Sequence, residues 1–599
     1  MSLLLVAQAA YAGSERYGQL TVTVDEDTGG GGNFGYRVYP VSIANGDTTE
    51  RTVTVRVPAR SWGNNGRDHL TATTRTFRVA AGGTLRSELI APAMPVQGQD
   101  AAVHIDGRAQ EDNVPLNVDG SYNYGFDGVA TVRVSRDLSA KQRGVLDEAA
   151  GRHDSGGSGR YGSSTRSGMQ LLLPNAKPVR EWSGGWLTYA GLAEVVLTER
   201  DLGAMSAETS AALRKYVLSG GRLTVVASTR WPAVPGWPDT DEPENWETRD
   251  GVRAALGLGE LRWWHTDDLA AADDTAMDAW VDGVTRHAQS QQNRLDADQA
   301  DKAFPVIEGQ RTPVRGLLLL MVVFALLIGP VNVLVLSVMK KRMWLLWTVP
   351  LTSAVFSGAV IAYAFFSEGI TPTARTTAVT LLDQTSREAV TRAMRGYYAP
   401  LTPGDGLRFG LDTAVVPQVT IDSHGYHYGS HGSHYGGDGR GRAVDTTHDQ
   451  HLTRGWVAAR VPAHLALTTV ESRRERLDFE RLDDGGLAVV NGLGVDVTAL
   501  DVADASGKRY RTAALAAGQR VVLGEADTLA DDPEFEGLQN QLAGIGWAVI
   551  ATREPDKYSL EPGSYLARTA TTPFVVDGLE GIGDHRIDAT VIGRWEETR

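Results

Sequence analysis

A histidine-rich stretch carries the clearest set of potential metal ligands in the chain. It spans residues 423–442, with the sequence SHGYHYGSHGSHYGGDGRGR, and its imidazoles belong to His424, His427, His431 and His434. Neutral imidazoles bind Zn²⁺, Ni²⁺ and Cu²⁺ well, and a flexible tract of Gly, Ser and Tyr can bring three or four together. Nothing apolar fixes the tract, which favours a low-complexity loop with weak metal affinity. We therefore expect no cofactor, and a site for zinc or another divalent metal is the alternative.

An acidic loop offers a second set of oxygen ligands. Residues 231–250 (WPAVPGWPDTDEPENWETRD) include the carboxylates of Asp239, Asp241, Glu242, Glu244 and Glu247. Carboxylate oxygens are the ligands that Ca²⁺ prefers, but the turn glycine and the bidentate glutamate of a calcium loop are out of register here. The pattern favours a solvated acidic loop over a cation site.

The composition excludes several classes of protein. The chain of 599 residues has no cysteine, which excludes disulfides, Cys-ligated metals and thiol nucleophiles. Its formal net charge is −15, and its basic cluster lies between two apolar segments. A nucleic-acid-binding protein needs a basic face, so we expect no nucleic-acid partner.

The two apolar segments predict a transmembrane hairpin. Residues 316–339 and 344–366 carry no formal charge, and each is long enough to cross a bilayer core of about 30 Å. The short connector is Lys340, Lys341, Arg342 and Met343. Because Lys and Arg near span ends are retained in the cytoplasm, we expect a two-pass protein of the cell membrane with this turn cytoplasmic and both flanking regions extracytoplasmic.

Several residues inside the hairpin are candidates for helix packing. Gly329 and Pro330 lie mid-span, where proline removes a helix hydrogen bond, and Asn332 places an amide in hydrocarbon. Ala354, Gly358 and Ala362 recur at four-residue steps, a small-residue stripe on which a helix can pack closely. Packing within the hairpin is favoured over packing on a partner protein. No Asp, Glu, Lys or Arg lies within either span, so a conduction path is not expected.

The residues before the hairpin divide into three regions. Residues 1–12 (MSLLLVAQAAYA) resemble the apolar core and cleavage site of a secretory signal peptide with a truncated basic region; the alternative is a buried first strand. Residues 14–130 alternate apolar and polar side chains with regular turns, which predicts an immunoglobulin-like β-sandwich. Residues 131–286 alternate apolar strands with helical segments, which predicts an open parallel α/β sheet, followed by a juxtamembrane linker at 287–315.

The residues after the hairpin predict more β-structure. Residues 371–599 contain a succession of short strand patterns and form a predicted C-terminal β-rich sandwich domain, with the His/Gly loop 423–442 as an insertion. Helical patterns are predicted at residues 386–395 and 533–545. The fold class expected for the whole chain is therefore multidomain, α/β plus all-β.

One part of the α/β region resembles a known family. The run AEVVLTERDLGAMSAETSAALRKYVLSGGRLTVVAS is similar to the glutamine-amidotransferase-like domain of flavodoxin topology in many bacterial membrane proteins, where it often follows an immunoglobulin-like domain and precedes helices with an IGPVN-type motif, as at residues 328–332. Active relatives use a cysteine nucleophile with a distant His and Glu. This chain has no cysteine and presents Ser228, Thr229 and Arg230 after the strand, without the glycines of a nucleophile elbow. The resemblance therefore implies a degenerate, non-catalytic domain.

These observations favour a non-enzymatic, membrane-anchored interaction or scaffold protein of the bacterial envelope. Its partners would be the lipid bilayer and other envelope membrane proteins, as in an accessory subunit of an envelope or transport assembly. Two alternatives are a hydrolase or transferase that acts through the α/β domain, and an extracytoplasmic metal-binding protein that uses the histidine tract. Convergence of a Ser, a His and an acid at the carboxyl edge of the α/β sheet would favour the enzyme.

Overall fold

A computed structural model shows a mixed α/β and β-rich protein. It describes residues 13–25, 35–60, 69–92, 100–116, 128–155, 169–174, 176–228, 234, 237, 247–248, 251–292, 297–307, 314–340, 342–368, 371–418, 441–526, 560 and 562–595. The predicted signal peptide, the histidine tract, most of the acidic loop and the helix predicted at 533–545 lie outside these residues.

The N-terminal region consists of β-strands in two sheets, which we call the N-terminal sandwich. Its strands are β1 (Gly13–Tyr17), β2 (Leu20–Val24), β3 (Tyr36–Asn45), β4 (Arg51–Arg60), β5 (His69–Val79), β6 (Thr84–Pro92), β7 (Asp100–Ile105), β8 (Arg108–Ala109) and β9 (Val114–Pro115). One sheet has the order β1-β2-β3-β6, and a second contains β5-β4-β7-β8. Alternate side chains such as Val22, Ile43 and Val55 point inward and form a shared core.

The next region is a doubly wound sheet with helices on both faces. Its elements are β10 (Gly128–Val134), α1 (Ala140–Ser155), β11 (Met169–Leu172), β12 (Glu194–Thr198), α2 (Glu199–Ala204), α3 (Ala207–Leu218), β13 (Arg222–Ala227), β14 (Glu247–Thr248), β15 (Gly251–Leu256), β16 (Gly259–His265), α4 (Thr266–Ala270) and α5 (Asp274–Gln292). Two short 3-10 turns, Val179–Glu181 and Trp186–Thr188, precede β12. Strands β11-β10-β12-β13-β16 are parallel, in the chain order 2-1-3-4-5 of flavodoxin-type sheets, and β15 and β14 add an antiparallel edge.

The apolar segments form helices that expose their side chains. They are α7 (Val314–Leu326), a π-helical turn (Leu327–Val331), α8 (Asn332–Val338) and α9 (Leu345–Glu368), and the short α6 (Ala297–Ala303) precedes them. One helical stretch, Met321–Val338, is long and apolar enough to cross a membrane, whereas the apolar stretch of α9, Leu345–Val360, is shorter. Length and composition thus support one span in the described residues and do not by themselves support the predicted second.

The C-terminal region is built on a nine-stranded sheet. Its strands are β17 (Thr373–Asp383), β18 (Glu388–Tyr398), β19 (Leu407–Phe409), β20 (Thr413–Gln418), β21 (Arg442–Asp445), β22 (Gln450–Arg454), β23 (Ala463–Ser472), β24 (Arg476–Arg481), β25 (Leu487–Gly492), β26 (Val497–Ala503), β27 (Arg509–Thr512), β28 (Arg520–Val522), β29 (Gly524–Glu525), β30 (Ser564–Thr569) and β31 (Asp584–Arg594). The large sheet has the order β20-β23-β18-β17-β31-β30-β26-β27-β29, and β24-β25-β28 packs on it as a second layer.

The prediction of a helix at residues 386–395 is wrong, because residues 388–395 belong to β18 and the two before them to the preceding turn. Its Glu, Ala, Met and Arg residues have high helix propensity. In the folded chain β18 pairs along its whole length with β17 on one side and along most of it with β23 on the other. Pairing on both sides outweighs the local preference, because the measured strand preference of a residue depends mainly on its neighbours in the sheet.

Strands from both sides of the apolar helices share one sheet. Strand β21 pairs in parallel with β5, with Thr73 opposite Val444 and Thr74 opposite Asp445. Strands β19 and β22 extend the same sheet, which therefore has the order β19-β22-β21-β5-β4-β7-β8. The N-terminal sandwich and the C-terminal region are thus parts of one structure rather than independent domains.

The α/β region is also fixed to the C-terminal sheet. Arg214 of α3 forms a bidentate ion pair with Glu388 of β18, and both side chains are largely buried. Nearby, Arg392 Nη2 donates to the Ser219 carbonyl at 2.9 Å, and Leu218 and Leu258 pack against apolar side chains of the large sheet. This interface combines apolar burial with a charge pair that has little access to water.

We expect Glu388→Ala to destabilise the protein by about 3 kcal/mol, because removal of one partner leaves the Arg214 guanidinium buried without its carboxylate. The measurement is chemical denaturation of the purified full chain. The matched control is Glu525→Ala, which removes an exposed pair with Lys508 and should change the midpoint little. Equal effects of the two substitutions would contradict this account of the interface.

Candidate functional site

The two apolar helical segments contact each other through one face. Asn332 Nδ2 donates to Thr348 Oγ1 at 3.0 Å, and the rings of Phe324 and Phe356 lie 5.0 Å apart. Phe324, Asn332, Thr348 and Phe356 are partly buried, whereas most of their neighbours are exposed. The Asn332 amide therefore has a partner within the hairpin, as expected for a polar group that must be satisfied away from water.

The other predicted packing residues lie elsewhere on the hairpin. Gly329 and Pro330 lie in the π-helical turn. This turn accommodates the absence of the backbone N–H that proline lacks. Ala354, Gly358 and Ala362 are exposed, and a Cβ on Gly358 would meet no atom within 4 Å. The small-residue stripe is therefore not the face that contacts the first apolar helix.

The chain enters the hairpin through a short segment bound to the C-terminal sheet. We call residues 304–306 the strap. Arg375 Nη1 donates to the Pro305 carbonyl at 2.8 Å and its guanidinium lies 4.7 Å from the Phe304 ring centroid, while His464 Nε2 lies 2.8 Å from the Phe304 carbonyl. Burial lowers the pKa of His464, which favours the neutral ring that donates through Nε2. The predicted linker at 287–315 thus includes the end of α5, α6 and the strap.

Glycine at position 396 makes room for the strap. Arg375, Gly396 and His464 lie opposite one another on β17, β18 and β23. A Cβ on Gly396 would lie 2.4 Å from Val306 Cγ2 and 3.1 Å from the His464 ring. Both the entry and the exit of the hairpin are therefore attached to the same end of the large sheet, since Arg375 follows α9 by only a few residues.

We expect Gly396→Val to displace the strap, because its side chain would occupy the space of Val306. The measurement is hydrogen exchange of the amides of Phe304, Val306 and Ile307 in the reconstituted full chain, which should become at least tenfold faster. Gly404→Val is the matched control, because a Cβ there would meet no atom within 4 Å. Unchanged exchange in the Gly396 variant would show that the strap does not pack against Arg375, Gly396 and His464.

The carboxyl edge of the α/β sheet brings a serine and an acid together. Ser228 follows β13, and both its backbone N–H and its Oγ donate to Glu199 Oε2, at 3.2 and 3.0 Å. His265 ends the neighbouring strand, opposite Ala227, but its Nδ1 accepts the Asp267 N–H and caps α4. Neither ring nitrogen of His265 bonds Ser228 among the described contacts. A serine nucleophile needs an adjacent base, which these described side chains do not supply as a triad.

The described residues contain no group of three or more His, Asp or Glu side chains placed to hold a metal ion. His424, His427, His431 and His434 lie outside the described residues, so the geometry bears on neither interpretation of the tract. Of the two histidines that follow it, His451 has its Nε2 2.6 Å from the Asp405 carbonyl.

A cleft of about 980 Å³ lies where the three folded regions meet. Ser183 Oγ of the α/β region donates to Glu88 Oε2 of β6 at 2.6 Å, and Trp186 Nε1 donates to the Leu411 carbonyl at 3.1 Å. Lys215 Nζ lies 2.5 Å from Asp412 Oδ1 across the same boundary. The walls carry charged side chains of both signs beside apolar ones such as Ile90 and Trp186, and this mixture does not select one class of ligand. Sequence reasoning missed it because its walls come from segments far apart in the chain.

Comparison with known proteins leaves the family open. No protein-family model and no curated protein matches the chain. Among solved structures, an exo-β-N-acetylglucosaminidase from Vibrio harveyi is 12% identical with a TM-score of 0.12, over 30% of this chain and 31% of that chain. A cycloisomaltooligosaccharide glucanotransferase from Paenibacillus sp. is 11% identical with a TM-score of 0.14, over 35% and 38%. The chain thus spans about a third of each, and these likenesses carry no argument about fold or function.

Proposed function

We propose that the protein is a non-enzymatic, membrane-anchored interaction protein of the bacterial envelope, with one composite ectodomain held on a two-pass hairpin. The pairing of β5 with β21 carries the proposal, because these strands lie on opposite sides of the hairpin in the sequence. A hydrogen-bonded sheet cannot be divided by a bilayer. If the apolar helices enter the membrane, the chain must therefore cross it an even number of times between the two strands.

The exposed apolar surface supports insertion of both helices. All but five of the exposed large apolar side chains among the described residues lie between Leu318 and Val355. Contiguous exposed apolar surface of this extent is typical of membrane contact. The basic turn at Lys340–Met343 favours a cytoplasmic turn and an extracytoplasmic ectodomain.

An interaction function fits the ectodomain better than catalysis does. The 2-1-3-4-5 strand order is that expected of the amidotransferase-like domain that the sequence resembles, and the position after β13 is occupied by Ser228, bonded to Glu199. We assign the protein a scaffold role, as an accessory subunit of an envelope or transport assembly. The outward-facing Ala354, Gly358 and Ala362 are available to a membrane partner.

Single-cysteine labelling tests the topology, because the chain has no cysteine of its own. We expect Thr84→Cys and Ala505→Cys, both exposed, to react with a membrane-impermeant maleimide in right-side-out vesicles of expressing cells. Met343→Cys, in the turn and 88% exposed, should react only after permeabilisation. The cysteine-free parent measures background labelling.

Two outcomes would contradict the proposed topology. Equal reaction of the Met343 variant before permeabilisation would place the turn on the same side as the ectodomain. Reaction of the Thr84 variant without reaction of the Ala505 variant would show an odd number of crossings.

A further inference from the structure

We propose that the end of the large sheet nearest the hairpin is a second membrane-contacting surface, which inserts apolar loop residues into the lipid interface. This inference rests on the proposed anchoring of the hairpin. We call this end the rim. It is defined by the first residues of β17, β23 and β31 and the last residue of β18, which are Thr373, Ala463, Asp584 and Tyr398.

The strand pairing places these four ends together. Thr373 lies opposite Tyr398 and beside Asp584, and Tyr397 lies opposite Ala463. Helix α9 ends at Glu368, and five residues of chain span at most about 18 Å. The strap crosses the same end. The rim is therefore the part of the ectodomain that lies nearest the bilayer when the hairpin is inserted.

Three large apolar side chains are exposed in the loops at the rim. Leu401, Val461 and Val576 are 52%, 46% and 47% exposed. Outside the hairpin, the described residues expose only two others of this kind, Leu411 in the cleft and Val522 in β28. Apolar side chains concentrated on the side that faces lipid indicate contact with the apolar part of the interface.

The rim loops are held together and do not project independently. The Arg460 N–H donates to the Ala399 carbonyl at 2.7 Å, and the Ala459 N–H donates to Thr402 Oγ1 at 3.2 Å, which joins the loops of Leu401 and Val461. Val576 lies in the segment between β30 and β31, and its carbonyl accepts Arg395 Nη1 of β18 at 2.7 Å. Leu401 and Val461 therefore belong to one surface, and Val576 lies in a neighbouring segment that is held against the same sheet.

The charges at the rim determine the kind of lipid contact. Asp405, Glu580 and Asp584 are exposed there, alongside the basic side chains of Arg460 and Arg586. A surface that recognises anionic lipids needs an excess of Lys and Arg, which this rim lacks. Contact is therefore driven by burial of apolar side chains, and the rim should bind zwitterionic lipid at least as well as anionic lipid.

Fluorescence quenching by lipid tests this inference in the full chain. Leu401→Cys, Val461→Cys and Val576→Cys would each be labelled with an environment-sensitive dye and reconstituted in phosphatidylcholine vesicles that contain a spin-labelled lipid. We expect at least twofold quenching at all three positions, unchanged when a third of the lipid is phosphatidylglycerol. Val522→Cys is the control, because its sheet is bonded to the turn between β17 and β18, at the opposite end, through Gln384 and Leu477.

A label at Leu334→Cys, in the hairpin, separates the two proposals. Quenching at Leu334 with none at the three rim positions would overturn the rim surface and leave the anchoring intact. No quenching at Leu334 would overturn the proposed anchoring, and the rim inference with it. Rim quenching that appears only with phosphatidylglycerol would overturn the apolar mode of contact.

Discussion

The parallel pairing of β5 with β21 is the interaction on which the rest of the structure depends. Its hydrogen bonds connect a strand that precedes the apolar helices in the sequence to a strand that follows them. The apolar helices are therefore an insertion between two parts of one folded unit. Strand β21 also covers the edge of β5, which would otherwise present unpaired N–H and C=O groups. Without this pairing, the sheet β5-β4-β7-β8 would end at an exposed β5 edge and would lose its extension through β21, β22 and β19.

Three further contacts also connect residues before the apolar helices to residues after them. Tyr36 of β3 accepts the Val415 N–H at 2.8 Å, the Arg214–Glu388 pair joins α3 to β18, and Arg375 binds the strap. Because the partners lie far apart in sequence, these contacts form only after the C-terminal strands have been synthesised. Folding of the ectodomain is therefore completed only after the residues that follow the hairpin have been synthesised.

Local sequence patterns predicted many of the strands, whereas no pattern predicted the contacts between segments far apart in the sequence. Alternation in β2 to β4 and apolar runs in β12 and β13 identify strands because burial is repeated every second residue or on both faces. The same reasoning failed for β18, whose helix-forming residues are held extended by two neighbours. No local signal marks Thr73 and Val444 as partners, or Gly396 as the space for Val306. The strap was likewise predicted as part of a linker, because only the register of the sheet places His464 and Arg375 beside it.

A disulfide across β5 and β21 tests the central claim most directly. Thr74 and Asp445 lie opposite each other and are partly buried, and neighbouring strands bring Cα atoms within the range that a disulfide spans. The variant Thr74→Cys/Asp445→Cys, with a protease site inserted at residues 308–313, would be oxidised in native membranes, cleaved, and run on a denaturing gel. The account predicts that the two fragments stay joined until reductant is added, while either single-cysteine variant separates. Separation of the fragments without reductant would show that these strands are not paired, and that the ectodomain is not one body across the hairpin.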